Sequence, residues 1–341
     1  MRKLPGGTRT GSGIVGSMLG GALLFGASLL AAPREAAALV GHYAAGGLNA
    51  RDLFLPPMNG TFLALYTYFY VADTFRDRNG HAVESITIRG RTINLDTHIN
   101  LNSISPALMW IPKWEFLGAR YGAFILFSAA NPSLNSAIET VNRRVTFDTS
   151  IWGFGDLFVQ PLWLQWSWPH VDLTAAWGFY APTGRFESGA TDNIGLGFWT
   201  QQLQNAIAVY VDEAKTWSFS LGQTWEINSQ LVDLDVTPGT HANLNWAISK
   251  IWQEGLLETG LVAYNQWQVT DDHGSDVMPL FRGVKDQVHA AGVELGMPKY
   301  GFTIKYLHEF GAVNRFQGNL ATFSFGLPLD PLFDRLVEMV Q

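Results

Sequence analysis

From Ile93 to Asn102 apolar and polar residues alternate without a break: Ile93, Leu95, Thr97, Ile99 and Leu101 share one parity, and Asn94, Asp96, His98, Asn100 and Asn102 share the other. Successive side chains on a strand point to opposite faces, so the run predicts a sheet surface apolar on one side and densely polar on the other. The rhythm recurs. Trp217, Phe219, Leu221 and Trp225 alternate with Ser218, Ser220, Gly222, Thr224 and Glu226, and Ala242, Leu244, Trp246 and Ile248 with Asn243, Asn245, Ala247 and Ser249. The same holds from Val171 to Tyr180 and from Leu257 to Tyr264. A single alternating run fits any half-buried strand. Several of them, with no competing long helical period, predict an all-β fold: an antiparallel transmembrane β-barrel whose wall separates lipid from water.

Strands read at roughly 61–72, 91–112, 119–130, 154–167, 170–181, 194–211, 215–227, 240–252, 256–269, 286–297, 299–310 and 318–327 give about 12, within 10–14. The connections alternate in length, with short ones at Trp114 to Gly118, Trp168 to His170, Asp212 to Ala214, Gln253 to Gly255 and Pro298. Membrane barrels have short periplasmic turns and longer external loops, and an even strand number leaves both termini in the periplasm. Within Arg91 to Pro112 the phase changes near Ser103 to Pro106, which predicts a bulge or a split there. Aromatic residues sort by connector. Trp110, Trp114, Trp166, Trp168, Trp217, Trp252 and Tyr300 lie by short turns, and Phe154, Tyr180, Trp199, Trp225, Trp267 and Phe310 by long loops, as two interfacial girdles require.

Ahead of the strands, Arg2, Lys3 and Arg9 precede an apolar, glycine-rich stretch that ends at Ala36-Ala37-Ala38, the pattern of a cleaved secretory signal peptide over residues 1–38. Residues 39–60 then form an N-terminal periplasmic segment, 61–328 the barrel, and 329–341 a tail with Leu332, Phe333, Leu336 and Val337 at helical spacing. Removing 1–38 leaves 18 basic and 28 acidic residues, a formal charge of −10, which gives nucleic acid nothing to bind. Charged residues are only 15% of the chain, against about 25% in soluble domains, as lipid-facing walls require. The absence of cysteine removes disulfides, thiolate metal sites and thiol nucleophiles.

Several short pieces fall in a distinctive order: Gly155-Asp156-Leu157 with Gln160-Pro161-Leu162-Trp163, Phe179 to Gly184, Glu226-Ile227-Asn228, Thr237-Pro238-Gly239, Gln268 with Thr270-Asp271-Asp272, and Glu309-Phe310 with Asn314-Arg315 and Gly318. With Gly41-His42-Tyr43, Tyr68-Phe69-Tyr70 and Asn79-Gly80, the set resembles the outer-membrane family associated with the meta-pathway of phenol degradation, over nearly all of the chain beyond residue 38. The resemblance implies an outer-membrane channel or transporter associated with the degradation of aromatic compounds. The tail departs from the common pattern of ending the chain on an aromatic strand residue.

On strand parity, Asp96, His98, Asp156, Gln160, Glu226, Asn245, Glu258, Tyr264, Gln266, Glu294, Lys305 and Glu309 point into the lumen, where ionisable and polar groups line a pathway or form a constriction. Glu258, Glu294 and Lys305 form a cluster on consecutive strands, which either tunes passage or fills and rigidifies the barrel. No serine motif accompanies His98, and residues two apart on a strand form a row rather than converge, so no catalytic site is assigned. The histidines show no metal-binding spacing, Asp271, Asp272 and Asp276 read as a solvated loop, and no metal or cofactor is expected. The expected function is uptake of small hydrophobic or aromatic, phenol-like compounds across the outer membrane of a Gram-negative cell. The expected partners are outer-membrane lipids and that solute; the oligomeric state is left open. An esterase-like barrel enzyme and a plugged structural or adhesion barrel are the alternatives.

Overall fold

The computed structural model describes residues 41–330, apart from 89–90, 141–142, 189, 191–192 and 278–281. The expected signal peptide and residues 331–341 of the tail lie outside the described residues.

Twelve antiparallel strands close into a barrel: β1 (Gly60–Arg76), β2 (Arg91–Ile111), β3 (Ala119–Leu126), β4 (Leu157–Ser167), β5 (Val171–Ala181), β6 (Thr200–Tyr210), β7 (Trp217–Asn228), β8 (His241–Trp252), β9 (Leu257–Gln268), β10 (Gln287–Met297), β11 (Phe302–Val313) and β12 (Arg315–Pro328). Each pairs with the next, and β12 pairs with β1 from Phe62↔Pro328 to Arg76↔Arg315, so no edge is left open. Closure is obligatory in lipid, where an unpaired backbone N–H or C=O finds no water. Five further strands add to the wall. Ala129–Thr140 pairs with β2 and with Arg143–Ser150, Ser85–Ile88 pairs with β2, Gly153–Phe154 with Ala129 and Ala130, and Glu115–Phe116 with the start of β3.

The period-two pattern becomes strict burial alternation in β6, where Thr200, Gln202, Gln204, Ala206, Ala208 and Tyr210 are buried and Gln201, Leu203, Asn205, Ile207 and Val209 exposed. In β7 the same alternation buries Ser218, Ser220, Thr224 and Glu226 and exposes Trp217, Phe219, Leu221 and Trp225. The apolar set therefore faces outward, the arrangement of a wall in lipid. Trp110, Trp114, Trp168, Trp217, Trp252 and Tyr300 are exposed at the short-turn end, and Phe154, Trp199, Trp225 and Phe310 at the long-loop end. Tyr180 is an exception: its ring turns inward and stacks on His42 at 4.7 Å.

Three expectations change. The described part of the run read from Ile93, Thr97 to Asn102, has the opposite facing from that read in sequence. Pairing of β1 with β2 is unbroken from Gly60↔Ile111 to Ala72↔Ile99, without the bulge expected near Ser103. Partners across a ladder share a face. Asn100 and Asn102 therefore stand outward with the exposed Val71 and Phe69, and Leu101 stands inward with the buried Tyr70. Beyond Ile99 the strand overhangs its pairing with β1 and pairs instead with Ser85–Ile88 and Ala129–Thr140. Second, β11 and β12 are joined by Asn314 alone, at φ 54°, instead of by a long external loop. Third, residues 41–55, expected as a periplasmic segment, lie inside the barrel, with Tyr43, Ala45, Leu53 and Leu55 buried.

Leu221 faces outward midway between the girdle residues Trp217 and Trp225. Leu221→Arg is expected to cost about 2–4 kcal/mol in equilibrium unfolding from lipid vesicles, the cost of a cation near the bilayer midplane. A loss below about 0.5 kcal/mol would show that this face does not meet hydrocarbon.

Candidate functional site

The N-terminal segment is held by backbone and side-chain hydrogen bonds to nearly every wall strand from β6 to β12. Tyr43 N–H donates to Glu226 Oε1 at 2.7 Å, and its hydroxyl accepts from Asn245 Nδ2 at 2.9 Å. Lys305 Nζ donates to the Leu48 carbonyl at 2.5 Å, and Asn49 Nδ2 to Ser324 Oγ at 2.6 Å. Ala50 N–H points at both oxygens of Glu294, 3.3 and 3.2 Å away, and Arg51 Nε reaches Glu258 Oε1 at 2.8 Å. Ser249 Oγ donates to the same Glu258 oxygen at 2.6 Å. Gly46 makes the tight passage at φ 74°, where an added Cβ would stand 2.8 Å from both Leu307 and Tyr264. Glu258, Glu294 and Lys305 thus come together, as their positions on consecutive strands required, around the segment that they anchor.

Next to this lies a second network. Glu309 accepts from Tyr264 at 2.5 Å and from Tyr70 and the Gly318 N–H at 2.8 Å each. Arg315 bonds Gln266 and lies 3.4 Å from Asp286, which is 3.0 Å from His241. The lumen against β7–β12 is therefore filled by hydrogen-bonded polar side chains. Burying so many polar groups is tolerable because most find partners.

The opposite side, against β1–β6, holds a cavity of about 150 Å³. Tyr66, Tyr68, Phe124, Phe158, Trp163 and Tyr180 wall it, Gln160, Gln202 and Gln204 supply amides, and His42, Tyr43, Leu48 and Asp52 close it from the segment. Of the twelve residues assigned to the lumen from sequence, only Gln160 borders it. Asp156, Glu226, Glu258, Tyr264, Gln266, Glu294, Lys305 and Glu309 are buried in the contacts described here, and Asn245 is half-buried. His98 is exposed, on the outward parity of Asn100 and Asn102, because the facing of that run is reversed. Asp96 shares this parity; its side chain lies outside the described residues.

At the outer rim, His42 Nδ1 lies 2.7 Å from Thr200 Oγ1 and His42 Nε2 lies 2.9 Å from Asp156 Oδ2. The line resembles a hydroxyl, base and carboxylate set, but its protons run the wrong way. Asn228 Nδ2 donates to the Gly239 carbonyl at 2.9 Å, which leaves its Oδ1 to accept the Thr200 hydroxyl proton at 2.6 Å. The Thr200 hydroxyl proton is therefore directed at an amide oxygen and not at the His42 ring.

Asp156 also accepts the N–H groups of Gly184 and Leu196, at 2.8 and 2.7 Å, and so ties the loop after β5 to the rim. Burial by itself would raise its carboxyl, but the bond from His42 and those from the two backbone N–H groups outweigh this and hold it below the ordinary value.

The sequence of residues 72–325 matches the family described as MetA-pathway of phenol degradation, and the chain belongs to that family. No curated protein matches it in sequence. Among solved structures, the COG4313 outer membrane channel from Pseudomonas putida F1 is similar with a TM-score of 0.63 at 16% identity, over 82% of this chain and 100% of that one. A Pseudomonas aeruginosa FadL homologue aligns at 11% identity over 83% and 95% of the two chains, with a TM-score of 0.36. The β domain of the Bordetella autotransporter BrkA aligns at 12% over 80% and 100%, with 0.39. The first of these establishes the fold as that of a twelve-stranded outer-membrane barrel; the other two are too distant to add to it.

Because the Asp156 carboxyl is depressed in the folded protein, its contribution is complete above about pH 4 and is lost as the pH falls through the lowered value. Hydrogen exchange at the Gly184 and Leu196 amides is expected to stay slow from neutral pH to about pH 4 and to lose protection below it. Protection unchanged in Asp156→Asn would show that the carboxylate does not hold the loop.

Proposed function

We propose that this protein is an outer-membrane channel for small hydrophobic or aromatic compounds. The observation that carries the reading is the residual space. With residues 41–55 in place, what remains open beside β1–β6 is an aromatic-walled chamber rather than a broad aqueous pore. A water-filled porin lumen is lined by polar groups; here six aromatic rings wall the opening. Membership of a family named for phenol degradation, and the likeness to a protein described as an outer membrane channel, point the same way. The Thr200 hydroxyl donates to the Asn228 amide oxygen and not to His42, which speaks against an acyl-transfer enzyme built on this hydroxyl.

In this reading the charged groups around Ala50 and Arg51 hold the segment in its closed position. Uptake of labelled phenol, benzoate and glucose into lipopolysaccharide-containing proteoliposomes tests it, each measured against protein-free vesicles. Phenol is expected to enter faster than through vesicles alone and faster than glucose. Neutralising Glu258, Glu294 and Lys305 together (Glu258→Gln, Glu294→Gln, Lys305→Met) is expected to raise flux several-fold while heat-modifiable gel migration stays that of a folded barrel. No solute above background in either protein would favour a plugged structural barrel.

A further inference from the structure

One charge on the wall faces away from the lumen. Every aspartate, glutamate and arginine on β4–β12 points inward, as does Lys305, whereas Lys250 on β8 stands outward, on the parity opposite to the buried Ala247 and Ser249. It lies at the short-turn end, two positions before β8 ends at Trp252. Its ammonium is 4.6 Å from the centre of the Trp217 ring and 4.7 Å from that of Trp252. Register builds this clamp. Trp217 of β7 and Thr259 of β9 are the ladder partners of Lys250, and Trp252 Nε1 donates to Thr259 Oγ1 at 3.0 Å, which fixes the second indole beside it. Among the described residues Lys250 makes no hydrogen bond and no ion pair, and Trp217 Nε1 donates to nothing. The Asp212 carboxylate on the adjacent turn accepts the N–H groups of Thr216 and Trp217 instead. A lysine that only snorkels extends past the wall to water. This one is turned onto two rings, which hold the cation at the membrane interface without cancelling its charge.

We infer that Lys250, with Trp217 and Trp252, binds the phosphate of a phosphatidylglycerol molecule in the periplasmic leaflet of the membrane. The short-turn end of such a barrel is periplasmic, so the lipids it meets are phospholipids. The ammonium and the Trp217 indole N–H supply donors for phosphate oxygens. One pleat toward the membrane centre, the next outward row in ladder register is Phe219, Ile248 and Leu261, wholly apolar, with Phe219 and Leu261 exposed. A row of donors beside an apolar row fits a molecule with a phosphate at one end and acyl chains beyond it; free phosphate would leave the apolar row unused. Charge chooses the headgroup. Phosphatidylethanolamine carries an ammonium of its own, which competes for its phosphate and would stand beside Lys250, whereas phosphatidylglycerol leaves its negative charge for Lys250 to meet. The site concerns the lipid partner of the wall and holds whatever the lumen passes.

The test is native mass spectrometry of the full-length protein released from detergent, titrated with dioleoylphosphatidylglycerol, dioleoylphosphatidylethanolamine and dioleoylglycerol. Phosphatidylglycerol is expected to bind about fivefold more tightly than phosphatidylethanolamine, the scale of one exposed charge pair, and dioleoylglycerol, which lacks the phosphate, more weakly than either. Lys250→Gln, shown folded by heat-modifiable migration, is expected to lose the preference for phosphatidylglycerol. Lys250→Arg, which keeps the charge and stacks on the rings, is expected to retain it. Lys113→Gln, which removes an exposed lysine at another short turn, is expected to leave it unchanged. Equal affinity for the two phospholipids in the unaltered protein, or an undiminished preference in Lys250→Gln, would overturn the site. An equal loss in Lys113→Gln would assign the preference to the overall charge of the periplasmic end and overturn it as well.

Discussion

Everything in this molecule follows from the closure of the wall. In a bilayer each backbone N–H and C=O must be paired within the protein, and twelve strands joined from β12 back to β1 achieve that without an edge. Closure at twelve strands encloses more room than inward side chains fill and less than an open pore needs. The residues 41–55 answer this constraint. They enter the space, bring backbone donors to Glu226 and Glu294, and offer the Leu48 carbonyl to Lys305. Wall carboxylates and an ammonium that would otherwise sit in a narrow lumen unpaired gain partners by holding the segment. Each then depends on the other, since a buried charge is tolerable only while its partner stays.

The two sides of the lumen divide the work. Against β7–β12, tyrosines, glutamates, Arg315 and the segment form an interlocked filling, with Glu309 accepting three donors. Against β1–β6 aromatic rings and the glutamines Gln160, Gln202 and Gln204 line a gap that remains. The gap lies where the wall is least regular: β3 is the shortest of the twelve barrel strands, and its pairing with β4 is interrupted between Gly122 and Phe124, beside Gln160 and Pro161. Proline cannot donate to a ladder, so irregularity at this point is a direct consequence of the sequence. The same irregularity turns Trp163 inward and so helps to wall the chamber.

The strands and their number were legible because period-two alternation is a local property and lipid enforces it strictly, as β6 and β7 show. Turn lengths were legible for the same reason, apart from the single-residue connection at Asn314. What resisted reading was non-local. The segment from Gly41 to Leu55 has no periodicity, and its partners lie up to 275 positions away, as with Asn49 and Ser324. The run from Ile93 misled because its own parity does not say which face meets lipid; that is set by register, which puts Leu101 beside the inward Tyr70 and Asn100 beside the outward Val71. Among site residues, Gln202 and Gln204 sit in a clean alternation with Leu203 and could have been found from parity. Trp163 could not, because its facing depends on the irregularity at Pro161.

The central claim is that residues 41–55 occupy the lumen. Since the chain has no cysteine, single cysteines report on it cleanly. Ala45→Cys, inside the barrel, and Asn59→Cys, exposed just ahead of β1, can be exposed to a membrane-impermeant maleimide in the folded protein in lipid. The account predicts rapid labelling at position 59, and at position 45 only after denaturation. Labelling at position 45 as fast as at 59 would place the segment outside the barrel and contradict the account.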